Sequence, residues 1–344
     1  MRKQEVQFST KTVQYLFDAE FAVLTDLYPK ERLVVITDEN VYGFHRKRLN
    51  GVKSIVIKPG ETRKQQSTVD AIILQLLEMQ ADRQTVIVGI GGGVVTDIAG
   101  YVASIFKRGV RLVQVPTSIL AMVDAAVGGK NGVDVGIYKN QVGTIYQPDY
   151  LLFDYSFLST LPREEWINGF AEIIKHACIK SASQFAFLTK YMIDDFTNDK
   201  TLFASFIEKN VDIKLGVVLH DEQETGERKL LNFGHTLGHA FEALYGLPHG
   251  HAISIGMVAA SALSNKLAGL SNEEEDQIIR LLKQYELPVH IDYDTEKIWN
   301  ILLNDKKRQD DTMLFILLNK IGDGIIQPIP LVQLKQLLQQ KILS

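Results

Sequence analysis

The stretch Thr85–Ile105, TVIVGIGGGVVTDIAGYVASI, combines three signals that together decide the fold. It opens on a short β-branched apolar run, which is typical of a buried strand. Three consecutive glycines, Gly91–Gly93, then interrupt the run, and the apolar residues from Val94 to Ile105 suit a helix. A strand that turns through glycines into a helix begins a βαβ unit, so this stretch predicts a parallel α/β sheet.

Segments on both sides repeat the alternation. Short β-branched runs at Leu33–Thr37, Ser54–Ile57 and Arg111–Val115 predict further strands, and apolar residues at helical spacing from Val69 to Leu77 predict a helix between two of them. Alternating strands and helices favour an open sheet that binds ligands at the carboxyl ends of its strands.

The glycine triplet also carries a functional hypothesis. Because glycine has no Cβ, the backbone can approach pyrophosphate oxygens while the helix N-terminus supplies N–H donors. The spacing is G-G-G-V-V-T-D rather than G-x-G-x-x-G, so the usual dinucleotide fingerprint is absent. From the residues alone, a nucleotide-binding loop and a tight turn packed on the sheet are equal alternatives.

A second glycine-rich stretch spans residues 116–148. It carries Asp124, Lys130, Asp134, Lys139 and Asn140 among its glycines. Long structured loops tend to be functional, which favours a ligand-binding loop over the alternative of a solvated hairpin.

The character of the chain changes at about residue 158, where long helical patterns begin. We therefore expect an α/β domain over residues 1–157 and an α-helical domain over residues 158–344. Met313–Leu318 is an exception that suits either a strand or an apolar helical turn.

The second half contains His235, His239, His249 and His251, four of the eight histidines of the chain. His235 and His239 are four residues apart on a predicted helix and share one face. Histidine is the commonest transition-metal ligand, so the cluster favours a metal site over structural histidines at the start of a helix.

Glu172 and Lys175 are three residues apart in a predicted helix of the same half, with apolar neighbours. The carboxylate of Glu172 is a candidate for completing a His/His/Glu ligand set, and Lys175 for lying beside a metal-bound oxygen. The alternative is an ion pair on the surface.

Composition excludes several classes of protein. The chain has 344 residues, a net charge of −4 and no long basic run, which argues against binding to nucleic acid. No apolar run reaches the length needed to span a membrane, and the first residues lack the apolar core of a signal peptide. The single cysteine, Cys178, fits a reducing compartment, so we expect a cytoplasmic protein.

Taken together, the motifs resemble the 3-dehydroquinate synthases of the sugar-phosphate cyclase superfamily. The matching segments, in order, are GGGVVTDIAGYVAS, KRGVRLVQVPTS, VDAAVGGKNGV, YKNQVGTIYQP, GFAEIIKH, LNFGHTLGHAFE, HGHAISIGM and a late DKK. The resemblance implies a Rossmann-like NAD-binding α/β domain, an all-α metal-binding domain and an active site in the cleft between them. It also implies a homodimer in which Arg108 reaches the partner's substrate phosphate.

The resemblance further implies the site residues. The zinc or cobalt ligands would be Glu172, His235 and His251, whereas spacing alone would pair His235 with His239. The NAD contacts would be Asp38, Asn40, Glu61, Lys64, Gly92, Gly93, Asp97, Thr117, Ser118, Lys139, Asn140 and Thr160. The substrate contacts would be Arg108, Lys130, Asn140, Lys214, Arg228, Asn232, His239 and Lys306, and the catalytic residues Lys175, Asn232, His239, Lys130 and Asp124.

The reaction implied is conversion of 3-deoxy-D-arabino-heptulosonate 7-phosphate to 3-dehydroquinate and phosphate, a step of the shikimate pathway to aromatic amino acids. NAD transiently oxidises the substrate, phosphate is eliminated, the hydride returns, the ring opens and an aldol addition closes the carbocycle. The enzyme would be a lyase whose ligand is a phosphorylated sugar acid.

Some positions depart from the family pattern. Met122 and Asn131 stand where glutamine and threonine are usual, Asp134 replaces asparagine, and Ser118 replaces threonine but keeps a hydroxyl. These departures leave a 2-deoxy-scyllo-inosose or valiolone synthase as an alternative, and a metal-dependent polyol dehydrogenase or a non-catalytic NAD- or metal-binding regulator as more distant ones. The dehydroquinate synthase pattern is matched at Lys214, Arg228, Asn232 and His239.

Overall fold

The computed structural model describes residues 1–136, 138–303 and 308–340 of the chain. Lys306, the candidate phosphate contact, and its neighbour Lys307 lie outside these residues. The chain forms two compact units, one of residues 1–165 with 204–215 and the other of residues 166–203 with 216–344.

The strands are β1 (Arg2–Gln7), β2 (Thr12–Phe17), β3 (Leu33–Asp38), β4 (Lys53–Ile57), β5 (Val86–Gly91), β6 (Arg111–Pro116), β7 (Lys130–Val135), β8 (Tyr138–Ile145), β9 (Tyr150–Phe153), β10 (Arg308–Gln309), β11 (Thr312–Lys320) and β12 (Asp323–Pro330). The α-helices are α1 (Leu24–Leu27), α2 (Glu39–His45), α3 (Gln66–Glu78), α4 (Gly93–Ile105), α5 (Arg163–Lys180), α6 (Ala182–Leu188), α7 (Ile193–Asn198), α8 (Lys200–His220), α9 (His235–Tyr245), α10 (His249–Leu267), α11 (Asn272–Gln284), α12 (Thr295–Leu302) and α13 (Leu331–Gln339).

The first unit is built on a seven-stranded sheet with the order β1-β2-β9-β6-β5-β3-β4. Every strand pair except the antiparallel β1–β2 is parallel, which confirms the predicted fold class. Strand β5 is buried along its whole length, as a central strand covered on both faces must be. Gly91 pairs with Pro116 and Asp38 with Ile57, so the carboxyl ends of four parallel strands lie at one edge of the sheet.

The expected boundary at residue 157 lies inside the first unit, which continues to residue 165. Asp154 accepts a hydrogen bond from the backbone N–H of Phe21, and Phe157 belongs to an apolar core with residues of β3 and β5. Thr160 forms a 2.8 Å hydrogen bond with His45. These contacts join the segment after β9 to the sheet.

The second unit is largely helical, but it is not the all-α domain that the sequence predicted. Strands β10, β11 and β12 form a three-stranded antiparallel sheet, so Met313–Leu318 is a strand. Its partner β12 contains Pro328 and is mostly half-exposed. Neither feature is a strand signal in a sequence, so the sequence does not predict β12, and it leaves Met313–Leu318 as either a strand or a helical turn.

The glycine-rich stretch at 116–148 contains the hairpin β7–β8, which is not simply solvated. Val133 is fully buried in the apolar core around α4. The Asn131 amide donates to the backbone oxygens of Gly129 and Tyr146, at 2.6 and 3.0 Å. A Cβ at Gly100 of α4 would lie 1.7 Å from Oδ1 of Asn131, so the helix approaches the hairpin through a glycine.

We predict that Gly100→Ala destabilises the protein, because the clash with Asn131 outweighs the helix propensity gained. Overpacking costs about 1–3 kcal/mol, against a gain of roughly 0.5–1 kcal/mol for replacing a helical glycine. Gly43→Ala in α2 is the matched control, since an added Cβ there meets nothing within 4 Å. Urea unfolding should show a loss for the first variant only, and adding Asn131→Ala should recover part of it. A Gly100→Ala protein as stable as wild type would contradict the close approach.

Candidate active site

Helix α5 carries a fully buried carboxylate. Glu172 has 0% of its surface exposed and Lys175, with which it forms an ion pair, has 1%. Their neighbours Phe170, Ile173 and Ile174 are also buried. A buried ionised carboxylate costs several kcal/mol unless it is paired or binds an ion, so this is not the surface ion pair of the alternative interpretation.

Two imidazoles complete a donor set with this carboxylate. Nε2 of His235 lies 3.6 Å and Nε2 of His249 lies 3.3 Å from Oε1 of Glu172. One potential ligand atom from each of the three residues lies within 4.8 Å of the others. Two nitrogens and one carboxylate oxygen are the ligand types that suit zinc or cobalt, so these residues fit a catalytic divalent ion.

The structure brings His249, rather than the predicted His251, into this cluster. Both residues lie in the first turn of α10, which begins at His249. Residues two apart on a helix point about 200° apart around its axis, so only one of them can face Glu172. Within the described part of the chain, His251 belongs to none of the clusters that could hold an ion.

Glycines allow the three helices to approach closely enough. A Cβ at Gly250 would lie 2.4 Å from the backbone oxygen of Asn168, which is one turn before Glu172 on α5. A Cβ at Gly256 would lie 2.0 Å from the backbone oxygen of Gly234, just before His235. Helix α10 therefore packs against both α5 and the start of α9, and the positions of the ligands follow from these two contacts.

Each imidazole has an oxygen near its other nitrogen. Nδ1 of His235 lies 3.1 Å from the backbone oxygen of Phe233, and Nδ1 of His249 lies 3.4 Å from Oε2 of Glu242. A proton on Nδ1 satisfies these oxygens, so Nε2 of each ring is the nitrogen that can bind an ion beside Glu172. This arrangement is the usual support for metal-ligating histidines.

The two histidines differ in their proton affinity. Burial, together with the charge of Lys175, lowers the pKa of His235 to about 3, so its imidazole is neutral and available as a ligand at neutral pH. Burial opposes the charged form of His249 as well, but hydrogen bonds and charges from Glu172 and Glu242 outweigh it and raise its pKa to about 9. Ion binding at this site would therefore release a proton from His249.

Further predicted substrate residues lie in the same unit. The ring of His239 is 5.2 Å from that of His235. The guanidinium of Arg228, whose residue is 2% exposed, donates to the backbone oxygen of Glu222 at 2.6 Å. The Asn232 amide donates to Glu224 Oε1 at 3.1 Å.

In the first unit, the glycine triplet makes the turn at the carboxyl edge of the sheet. Gly91 ends β5, Gly92 is the N-cap of α4 and Gly93 is its first residue. Gly92 has no side chain that could cap the first N–H groups of the helix, which suits a site for a phosphate. Thr117 donates its backbone N–H to Gly91 at 2.9 Å, and a Cβ at Gly92 would lie 3.4 Å from the Ser118 hydroxyl.

Several predicted NAD contacts meet nearby. Lys64 Nζ lies 2.5 Å from both the Asp97 carboxylate and the Asn140 amide oxygen, and Lys139 lies 3.4 Å from Glu61. Burial disfavours the charge on Lys64, but Asp97 and Glu61 outweigh it and raise its pKa. The hairpin and the helix α4 are thus joined through one lysine.

The remaining predicted residues of this unit have separate partners. Asp38 accepts from the backbone N–H of Asn40 at 2.9 Å and so caps α2, while Thr160 bonds to His45 as described above. Asp124 pairs with Lys214 at 2.5 Å. Lys130 begins β7 and is half-buried. Arg108 is exposed.

Comparison with known proteins identifies the family of the chain. Residues 54–168 match the family model described as 3-dehydroquinate synthase N-terminal, and residues 169–308 match the one described as 3-dehydroquinate synthase C-terminal. The chain belongs to the 3-dehydroquinate synthase family. A 3-dehydroquinate synthase of Nitratiruptor sp. is 37% identical over 336 residues, covering 94% of each chain. Another member of the family, from Saccharolobus solfataricus, is 39% identical over 294 residues, or 83% of each chain.

Solved structures show the same fold. A 2-epi-5-epi-valiolone synthase from Streptomyces hygroscopicus subsp. jinggangensis, with NAD+ and Zn2+ bound, has a TM-score of 0.86 at 25% identity, over 98% of this chain and 97% of that one. A 2-deoxy-scyllo-inosose synthase complexed with carbaglucose-6-phosphate, NAD+ and Co2+ has a TM-score of 0.84 at 24% identity, over 98% and 100%. Among the described helices of this family member, none is long and apolar enough to cross a membrane.

Sequence reasoning missed the partners that support the ligands. Glu242 was not singled out, although it follows His239 by three residues on α9 and is 9% exposed. His249 was named only as one histidine of the cluster. Two signals in the sequence bear on the choice between His249 and His251. Residues two apart on a helix face opposite sides, so only one of the two can be a ligand, and the small Gly250 between them marks the side where another helix packs.

We predict that His249→Ala weakens binding of zinc or cobalt and that His251→Ala does not. The loss should exceed the roughly 10- to 100-fold that removal of a ligand's hydrogen-bond partner costs. Competition with a chelator, followed by metal analysis, measures it directly. His239→Ala serves as a second control and should keep its metal, since His239 is not a member of the set formed by Glu172, His235 and His249. Normal metal affinity in His249→Ala with a loss in His251→Ala would restore the sequence-based ligand set.

Proposed function

We propose that the chain catalyses the reaction of the 3-dehydroquinate synthases, using NAD and one divalent ion, zinc or cobalt. The set of the buried Glu172 and His235 with the half-buried His249, in a member of this family, is the observation that carries the proposal. A cytoplasmic location, expected from the sequence, is part of this proposal.

When bound, the ion supplies Lewis acidity to substrate oxygens, and NAD accepts and returns a hydride. Lys175, buried beside Glu172, holds its ammonium group at the ligand set and is proposed to orient a substrate oxygen there. His239, with its ring near His235, is proposed to move the proton of the hydroxyl that is oxidised. Arg228 and Asn232 are proposed to bind the polar groups of the substrate.

Phosphate would be held by a local group of cations and amides, although the whole chain is acidic. The proposed contacts are Lys130, Asn140, Arg108 and Lys306, the last outside the described residues. Asp124 and Lys214, joined by an ion pair, are proposed to bind the substrate as well. The NAD contacts are proposed as the sequence implies, with the turn at Gly92–Gly93 taking the pyrophosphate.

The departures from the family pattern do not favour a different cyclase. Met122 is fully buried, so its side chain belongs to the protein interior. The side-chain amide of Asn131 donates hydrogen bonds to the backbone oxygens of Gly129 and Tyr146. Asp134 accepts from the backbone N–H of Asn140 at 2.7 Å, a role that an asparagine could also fill. These side chains alter packing and loop support, and dehydroquinate synthesis remains the function that the site residues support best.

The purified protein, supplied with NAD and metal, should release phosphate from the heptulosonate phosphate without net accumulation of NADH. The reason is that the hydride is returned within each turnover. A phosphate assay together with absorbance at the NADH band measures both. Lys175→Ala should be inactive with its fold intact. Stoichiometric NADH would instead indicate a polyol dehydrogenase, and turnover of a hexose 6-phosphate alone would indicate another cyclase.

Arg108 is further proposed to act across a homodimer interface. It is exposed, and both Lys107 and Arg108 have left-handed backbone conformations, with φ of 51° and 65°. Two consecutive non-glycine residues in this region cost energy, and such strain is concentrated at functional sites. The strain supports a fixed outward presentation of the guanidinium.

Inactive Arg108→Ala and inactive Lys175→Ala chains, mixed and allowed to exchange, should therefore recover part of the activity. One of the two sites in a heterodimer would then have both groups intact. Verified heterodimers without any recovery would assign Arg108 to its own subunit or to no site.

A further inference from the structure

The segment after α8 folds around a single carboxylate. Oδ2 of Asp221 accepts from the backbone N–H groups of Gly226 at 2.7 Å and Arg228 at 3.1 Å. Its Oδ1 accepts from the backbone N–H of Thr225 at 2.9 Å and from the Thr225 hydroxyl at 3.2 Å. One side chain thus satisfies three backbone donors of the segment 221–228.

The backbone of this segment is not a relaxed loop. Glu224 has a positive φ of 59°, in the left-handed region that non-glycine residues rarely adopt. Conformations of this kind persist only when surrounding contacts determine them. Hydrogen bonds to an ionised carboxylate are among the stronger ones available, so Asp221 is the group that fixes this path.

The segment ends at residues assigned to the substrate. Arg228 is 2% exposed, its backbone N–H is held by Asp221, and its guanidinium donates to the backbone oxygen of Glu222. Glu224, at the strained position, accepts from the Asn232 amide. Asp221 therefore lies at the start of a set of contacts that ends at two proposed substrate-binding side chains.

We propose that Asp221 is a positioning residue that holds Arg228 and Asn232 ready for the substrate by organising the segment 221–228. It acts through these residues, with no contact of its own to the substrate, and the inference rests on the proposed function of Arg228 and Asn232. The carboxylate is ionised at neutral pH: burial works against its charge, but the N–H groups of Gly226, Thr225 and Arg228 outweigh burial and lower its pKa.

The test compares Asp221→Ala with Asp199→Ala. Asp199 is a matched control because it caps the other end of the same helix, α8, by accepting from the backbone N–H groups of Thr201 and Leu202. Both variants should lower the urea midpoint of unfolding to a similar extent, since each removes a carboxylate that accepts from several backbone N–H groups. Only Asp221→Ala should lower kcat/KM for the heptulosonate phosphate, by about 10- to 100-fold, as expected when a binding group is misplaced. Metal and NAD affinity should be unchanged in both.

Two further measurements test whether Asp221 acts through Arg228 and Asn232. In an Arg228→Ala background, Asp221→Ala should lower kcat/KM by a smaller factor than in the wild type, because residues that act through one another are not additive and only the route through Asn232 remains. Amide hydrogen exchange at Thr225, Gly226 and Arg228 should accelerate in Asp221→Ala. Asp221→Asn, which keeps the shape and one accepting oxygen, should be intermediate and serves if the alanine variant does not fold.

Wild-type kinetics in Asp221→Ala, full additivity with Arg228→Ala, or unchanged exchange in the segment would each overturn the inference. A wild-type protein without turnover would count against the proposed function, and amide exchange would still decide whether Asp221 organises the segment.

Discussion

The second unit is organised by the burial of one carboxylate. Glu172 of α5 has no exposed surface, so its charge must be balanced by nearby groups. Lys175 comes from the same helix, His235 from α9 and His249 from α10. Three helices must therefore stay in contact at this point, and the glycines at their crossings make that contact possible.

In the first unit, the buried charge that must be balanced is that of a lysine. Lys64 is buried and pairs with Asp97 of α4, and the same ammonium group donates to Asn140 of the hairpin β7–β8. Asp134 in turn holds the backbone of Asn140, whose φ is 54°. A charge placed in a low-dielectric region thus ties a helix to a hairpin, and the proposed NAD contacts are arranged as a consequence.

At Asn131, the departure from the family pattern is accommodated by packing inside the protein. Asn131 fills space that a Cβ at Gly100 would occupy and uses its amide to fasten two backbone oxygens. The residue therefore keeps the glycine turn before Lys130 in place although it differs from the usual threonine. Departure at a position inside a motif need not change the substrate when the side chain faces the protein.

The sequence by itself determined the elements with strong local periodicity. The predicted strands at Leu33–Thr37 and Arg111–Val115 and the helix from Val94 agree with β3, β6 and α4 to within one residue at each end. The two strands are buried in a parallel sheet and α4 packs in the apolar core beside it, so their apolar patterns are nearly continuous. The motifs also identified the family, because several matching segments in order carry more information than any local propensity.

Only the tertiary structure decided which side chains meet. His249 and His251 are two residues apart in one motif and point in opposite directions from α10, and the packing of Gly250 against α5 places the first beside Glu172. Glu242 supports His249 of another helix, Asp221 supports the loop that follows it, and β12 is a strand because β11 pairs with it in spite of its prolines. Each of these depends on contacts between distant residues or on the path of a loop, and local sequence patterns carry no record of them.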